Sequence, residues 1–362
     1  PARTIRFIWP AEIEGTLALL NARPDIARRI KAVVHMDMVG GGPETKAVFH
    51  VTRGPASMPS FVNDVAESFG EIVNEQSARF AAGRSAAYPL VAPEGGKEAL
   101  LAEMAEYTQG SDHDVYADSS FGVPVIYLND WPDRYIHTNF DTPANVDPTK
   151  LKRAAFIGAA SAYFLADART KDVPAVLRLI QGGALRRTSR MLARRAALTN
   201  DEAANLTRFQ LAHERAIVAS LERFFKVPEG MGAEASSFLE ALRALVGDAR
   251  PMAAPPQGDG LLVFRRNSNL KGPMSAFGYD YFTDKYGAER VGAIRLLNFQ
   301  GARGGGGEYA YEVLNFADGR RTAQEIRDAV SAEFGPVPLD LVVEYLRALE
   351  SIGVVERRLS DK

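Results

Sequence analysis

With 362 residues, 46% of them hydrophobic and 24% charged, the chain has apolar surface for one large core or two to three ordinary ones, which excludes a disordered protein. Its 43 Lys plus Arg against 45 Asp plus Glu give a formal charge of -2, so no net field draws it to nucleic acid or to an anionic membrane. The absence of Cys rules out disulfides, thiolate nucleophiles and cysteine zinc sites, leaving His, Asp and Glu to hold any metal.

Residues 1–168 alternate strand and helix signals. A strand-like run from Thr4 to Trp9 leads into a helical stretch from Gly15, followed by the apolar run Lys31 to Val39 and its stop, Gly40-Gly41-Gly42. A helix is expected from near Ser60 toward Ala82, a strand over Pro124 to Leu128, a polar loop over Asn129 to Thr142, and a helix from about Asp147 to Leu165. Short buried strands between amphipathic helices predict an α/β fold whose mixed central sheet is flanked by helices on both faces, with its chemistry in loops at strand ends. Residues 169–250 read as a helical subdomain and a candidate for dimerisation. Residues 251–308 read as a linker and an irregular segment, beginning with the Pro- and Ala-rich stretch 251–256. Residues 309–362 show three helices, Tyr309 to Phe316, Thr322 to Phe334 and Pro338 to Ser351, then Gly353 before Val354-Val355, which is a winged-helix-like pattern; Thr322 with Glu325 fits a capping box. No run reaches the roughly 18 apolar residues of a membrane helix, and the opening residues lack the apolar core of a signal peptide. With no initiator Met and a strand-like start, the chain reads as a piece of something longer, and its compartment stays open between cytoplasmic and secreted.

Three segments concentrate acids and histidines at strand ends. Glu12, in Pro10-Ala11-Glu12-Ile13-Glu14-Gly15, stands where a strand is expected to give way to a helix; it is either a general base beside a bound water or a helix-start acid. In His35-Met36-Asp37-Met38-Val39-Gly40, alternation puts His35 and Asp37 on one face. A carboxylate among apolar neighbours needs a partner, which a metal can supply, whereas His35 fits a hydrogen-bonded core histidine. The loop Tyr135 to Thr142 contains His137, whose imidazole is a ligand type for zinc, and Asp141, a carboxylate that can fix its tautomer. Upstream, Gly110-Ser111-Asp112-His113-Asp114 is equally a set of metal-capable groups or a solvated helix-start loop.

In this order, Arg3-Thr-Ile-Arg-Phe-Ile-Trp9 with Glu12 and Gly15, Met36-Asp37-Met38-Val39-Gly40, Ser111-Asp112-His113, Gly122-Val-Pro124, and Tyr135-x-His137 with Asp141-Thr142 resemble metallopeptidase family 28. That family includes bacterial leucyl aminopeptidases, glutamate carboxypeptidase and, as a relative, glutaminyl cyclase. The resemblance covers residues 1 to about 168 and implies the C-terminal half of a zinc-peptidase catalytic domain. It implies Glu12 as general base and Asp37 and His137 as ligands to one or two zinc ions. Asp112, His113, Tyr135 and Asp141 would stand nearby as substrate-contacting or supporting residues. Zinc would lower the pKa of a bound water, and Glu12 would carry its proton to the leaving amine of an N-terminal residue.

Two features depart from the family's pattern. Ile13 stands where a second, zinc-binding Glu is usual, and the family's His-x-Asp motif and bridging Asp belong to a half this sequence does not contain. The expectation is therefore an aminopeptidase-type centre that needs the missing half, with the present chain inactive by itself. The alternative is a noncatalytic peptide-binding or scaffold protein on the peptidase fold. In the C-terminal segment the acids outnumber the bases, and Pro338 to Ser351 sets Asp340, Glu344 and Glu350 against Arg347 alone. A peptide substrate and a homodimer are thus the expected partners, with neither nucleic acid nor membrane among them.

Overall fold

In the computed structural model, residues 1–247 and 256–358 are described. The first helices are α1 (Glu14–Ala22) and α2 (Pro24–Ala27), and the first strands are β1 (Val33–Asp37) and β2 (Val48–Arg53). Then follow α3 (Val62–Ala81), β3 (Glu103–Ala105), α4 (His113–Ala117), β4 (Val125–Trp131) and α5 (Pro148–Asp167). The sheet order is β1-β4-β2-β3; β4 runs parallel to β1 and antiparallel to β2, and β3 runs parallel to β2. The sheet is therefore mixed. On one face Val34, Phe49, Val51, Ile126 and Leu128 pack under α3 and α5 through Val65, Val73, Ala154 and Ile157. An added Cβ at Gly158 would stand 2.6 Å from Met36 Sδ, so glycine lets α5 lie close on the strands. The other face carries His35, Asp37 and Tyr127 and is covered by α4 and the turn before it.

The strand expected over Thr4 to Trp9 does not form. A strand exists only as part of a ladder, and the backbone bond nearest this segment is made just before it, by Arg3 N–H to Ala166 O at 2.8 Å. Phe7 and Trp9 are left 75% and 86% exposed, stacked on one another at 6.0 Å. The segment is held at its start, where the Arg3 guanidinium donates to Leu165 O, Ala168 O and Phe224 O.

Helices α6 (Val173–Arg195), α7 (Asn200–Ala219) and α8 (Glu229–Val246) form the middle of the chain. The linker expected at 251–256 lies, apart from its last residue, outside the described residues. Next come β5 (Val263–Arg266), a two-stranded hairpin of β6 (Ser275–Ala276) and β7 (Tyr279–Asp280), α9 (Tyr281–Tyr286) and α10 (Ala288–Val291). The chain then runs through α11 (Gly306–Asn315), β8 (Asp318–Thr322), α12 (Ala323–Phe334), α13 (Leu339–Ser351) and β9 (Val355–Arg358). Strand β5, from well upstream, lies between β8 and β9 as the centre of an antiparallel sheet. Thr322 and Glu325 close the capping box of α12: Thr322 N–H donates to Glu325 Oε2 at 2.8 Å and Glu325 N–H to Thr322 Oγ1 at 3.2 Å. Gly353, at a φ of +75° that favours glycine, ends α13.

This C-terminal unit is docked on the rest of the chain. Glu312 accepts from Ser57 N–H and Ser57 Oγ–H at 2.8 and 2.6 Å, and Asn315 Oδ1 accepts from Ser119 N–H at 2.8 Å. Arg266 reaches buried Asp118 at 2.9 Å. Helix α13 buries Leu341, Val342, Tyr345, Leu346 and Leu349, while its Asp340 and Glu344 pair with Arg295 at 2.8 and 3.2 Å. Among the described residues no helix is long and apolar enough to cross a membrane.

Candidate active site

Because β1 and β4 are in parallel register, His35 lies beside Tyr127 and Asp37 beside Asn129. The His35 and Tyr127 rings stack at 5.0 Å. Above them sits Ser111, 1% exposed, in the turn that opens α4. Its Oγ lies 2.8 Å from Asp37 Oδ2, 3.0 Å from Glu12 Oε1 and 2.9 Å from His35 Nε2. Two carboxylates and an imidazole thus converge on one hydroxyl. That hydroxyl has a single proton to give, so it satisfies only one carboxylate at a time and leaves the other open to accept from water or substrate.

Asp112, 6% exposed, holds the approach to Glu12. Its Oδ1 accepts from Ile13 N–H at 2.9 Å, and Glu14 N–H closes back on Glu12 O at 2.6 Å. Ile13 is thereby fixed as the centre of a γ-turn, φ 58° and ψ -67°, a conformation that costs a β-branched residue about 1–3 kcal/mol. Burial against Leu20, Val115, Tyr116 and Val123 offsets that strain. The turn sends the Ile13 side chain inward and leaves Glu12 exposed, so Asp112 positions the base candidate without touching its carboxylate.

His113 is fully buried. Its Nε2 must carry the proton, because it lies 2.7 Å from Thr108 O, which can only accept. Nδ1 is then a lone pair, and it has no partner among the described residues. The ring stacks on Tyr127 at 4.1 Å. Burial holds the pKa of His113 down at about 4; for His35, burial and then His113 do the same, also to about 4. Both rings are neutral near pH 7. Behind them Asp114 accepts from Tyr107 Oη–H at 2.6 Å and Gly110 N–H at 2.9 Å, and burial pushes its carboxyl up to about 7 against those two bonds. Tyr311, on α11, donates to the Asp114 backbone oxygen at 2.7 Å and stacks on Tyr107 at 5.4 Å. The C-terminal unit thus braces the turn that carries Ser111 and Asp112.

His137 is not part of this cluster. It sits exposed in the loop after β4, at a φ of 59°, stacked on Phe277 of the β6–β7 hairpin at 5.1 Å. Asp141 is exposed, its N–H donating to Thr138 O at 3.2 Å, and Tyr135 donates its N–H to Asp133 Oδ1 at 2.7 Å. No hydrogen bond or ion pair among the described residues joins His137 to Asp37 or to Asp141. Sequence reasoning placed Ser111 in a motif without seeing it as the hub. A buried serine among acids is the signal that could have shown this. Tyr107 and Tyr311 gave no signal at all.

No curated protein and no solved structure matches the chain. The family model described as Peptidase family M28 matches residues 1–162, the span that holds the whole cluster. Members of that family hydrolyse peptide bonds and are generally zinc-dependent. The donors seen here do not make up a zinc centre. Among the described residues no three His, Asp or Glu side chains are grouped to hold a metal, Asp37 is bonded to Ser111, and Ile13 offers an apolar side chain. Residues 1–162 are thus similar to peptidase family M28.

Proposed function

We propose that the chain takes part in aminopeptidase-type hydrolysis of N-terminal peptide bonds, with Glu12 as general base, in a zinc-dependent centre that needs ligands beyond the described residues. The observation that carries this reading is the convergence of Glu12 and Asp37 on Ser111 Oγ within the segment matched to a peptidase family. A base must stand within hydrogen-bond reach of the proton it takes. Glu12 is exposed to water, is fixed by the Ile13 turn, and accepts from Ser111 Oγ–H, which also faces Asp37. It takes a proton from the attacking water and returns it to the leaving amine.

Zinc content after removal of loosely bound metal tests the reading, measured on this chain and on any longer product of the same gene. The chain alone is expected to retain no stoichiometric zinc and to leave peptides uncleaved. A product that does retain zinc is expected to release N-terminal residues, and Glu12→Gln is expected to lower its kcat by about 10²–10⁴-fold with zinc content unchanged. Zinc retention without cleavage, or cleavage untouched by Glu12→Gln, would sink it.

A second reading, a noncatalytic peptide-binding or scaffold protein on the peptidase fold, draws on Ile13: it is buried and its N–H is committed to Asp112. Peptide binding with neither zinc nor hydrolysis in any product would favour it. For the C-terminal unit, the helix–strand–helix–helix–strand order of 306–358 supports a winged-helix-like module that serves protein contact and not nucleic acid. Its α13 acids are occupied by Arg295 and its apolar side is buried. Salt-sensitive DNA binding would overturn that part.

A further inference from the structure

The basic run on α6, from Arg186 to Arg195, is expected from sequence to be a solvated face. In the structure Arg190 stays 41% exposed, and together with Arg187 and Arg194 it lines a cavity of about 60 Å³ where α6, α7, the end of β2 and α12 meet. Arg53, Glu106, His213 and Glu333 line it too. The charges within it do not balance. Asp64 and Glu214 outweigh Arg187 by one charge, and Arg53 faces Glu67 at 3.5 Å. Arg190 and Arg303 both reach for one oxygen, Glu106 Oε1, each at 3.7 Å. Arg194 donates to two backbone carbonyls, Ala332 O at 2.6 Å and Glu333 O at 3.0 Å, and has no carboxylate within ion-pair distance among the described residues. Burial, and then Glu312 beside it, push the Glu333 carboxyl well up. Around Glu106, three guanidiniums are left to one carboxylate.

The neighbouring groups register this positive field. Burial and Arg303 lower Arg194 to about 10, and burial, Arg53 and Arg187 lower His213 to about 3. Burial pushes Glu106 up, but Arg53, Arg303, Arg190 and Arg194 together bring it below its ordinary value. An excess of planar, fork-shaped donors around a small space is the environment that a compact oxyanion recognises, because each guanidinium can give two parallel N–H bonds.

We propose that this cavity is a binding site for a phosphate-type dianion, held by Arg190 and Arg194, which ties α6 and β2 to the C-terminal unit. At the Glu106 edge Arg190, Arg194 and Arg303 exceed their one carboxylate by two charges, a local excess that a dianion matches and a monocarboxylate does not. The site is separate from the Ser111 cluster and stands or falls independently of the peptidase reading.

Thermal unfolding of the full chain is measured in inorganic phosphate, in glycerol phosphate and in acetate, each against chloride at equal ionic strength. Phosphate is expected to raise the midpoint saturably, by on the order of 5 °C at a hundredfold excess over Kd, with acetate and chloride giving no such rise. A matching rise with glycerol phosphate would place the ligand as a phosphomonoester, and a rise with inorganic phosphate alone would place it as the free ion. Arg190→Gln is expected to weaken phosphate at least tenfold by calorimetric titration, Arg190→Lys less so, and Arg178→Gln, on the exposed side of α6, not at all. Phosphate acting no better than chloride, or Arg190→Gln and Arg178→Gln behaving alike, overturns the site.

Discussion

Arg187→Met is expected to cost about 3–5 kcal/mol of folding stability, the largest loss anticipated for any single substitution outside the hydrophobic cores. Arg187 is 6% exposed and forms a fork with Glu214, Nε to Oε1 and Nη2 to Oε2, both at 2.7 Å, while Nη1 meets Asp64. Asp64 and Glu214 are both 0% exposed and come from α3 and α7, so this one side chain joins the peptidase segment to the helical middle of the chain. The approach is close enough that an added Cβ at Gly183 would stand 2.0 Å from Asp64 Oδ1, which accounts for glycine within α6. Methionine fills most of the volume but leaves two buried carboxylates without a cation, and their desolvation is then uncompensated. Replacing all three residues, Arg187→Met with Asp64→Leu and Glu214→Leu, is expected to recover most of the loss, because a buried ion pair is worth little more than well-packed apolar side chains. Urea unfolding of the single and triple variants checks this. A loss below about 1 kcal/mol for the single variant would show that water reaches the cluster.

Such long-range chemistry marks the limit of what could be read from the sequence. Helices α3 and α5 were legible within a few residues because their apolar faces repeat over 20 residues each, and β4 because it opens on the apolar run Val125 to Leu128. The run Thr4 to Trp9 has the same local signature and forms no strand, since pairing is decided by a neighbour that the pattern does not encode. The site divides along the same line. Glu12 and Asp37 stood out as carboxylates in a family-like order, and the structure brings them to one hydroxyl. His137 stood out equally, yet its loop carries it to Phe277. The brace from Tyr311 to Asp114 spans 197 residues of sequence, and an aromatic on an amphipathic helix reads simply as core.

Asp114→Asn is expected to shift stability relative to the native chain by up to about 4 kcal/mol in the variant's favour between about pH 4 and about pH 8.5. The folded-state pKa of Asp114, about 7, lies above the ordinary 3.8, with burial as the cause, so the folded chain keeps this proton longer than the unfolded one. Its contribution to stability is fully present below the unfolded value and is lost as pH rises through about 7. His35 and His113 act in the opposite sense. Held down at about 4, they must be charged on unfolding below about 6.5, so their contribution is lost as pH falls from there. The native chain should therefore be most stable near the crossing of the two trends, at about pH 6.5. The difference between native and variant proteins removes His35 from the comparison, while His113, with Nε2 3.2 Å from Asp114 Oδ1, responds together with Asp114. Tyr107 and Tyr311, which face the carboxyl, are pushed far above the ordinary phenol value and add nothing in this range. Asparagine retains an oxygen for the Tyr107 hydroxyl and gives up the bond from Gly110, a fixed loss that does not vary with pH. Urea midpoints of both proteins across the range decide the matter. A difference that stays flat with pH would show that the two hydrogen bonds, and not burial, set the charge of Asp114, and that the turn holding Ser111 and Asp112 is braced on a carboxylate throughout.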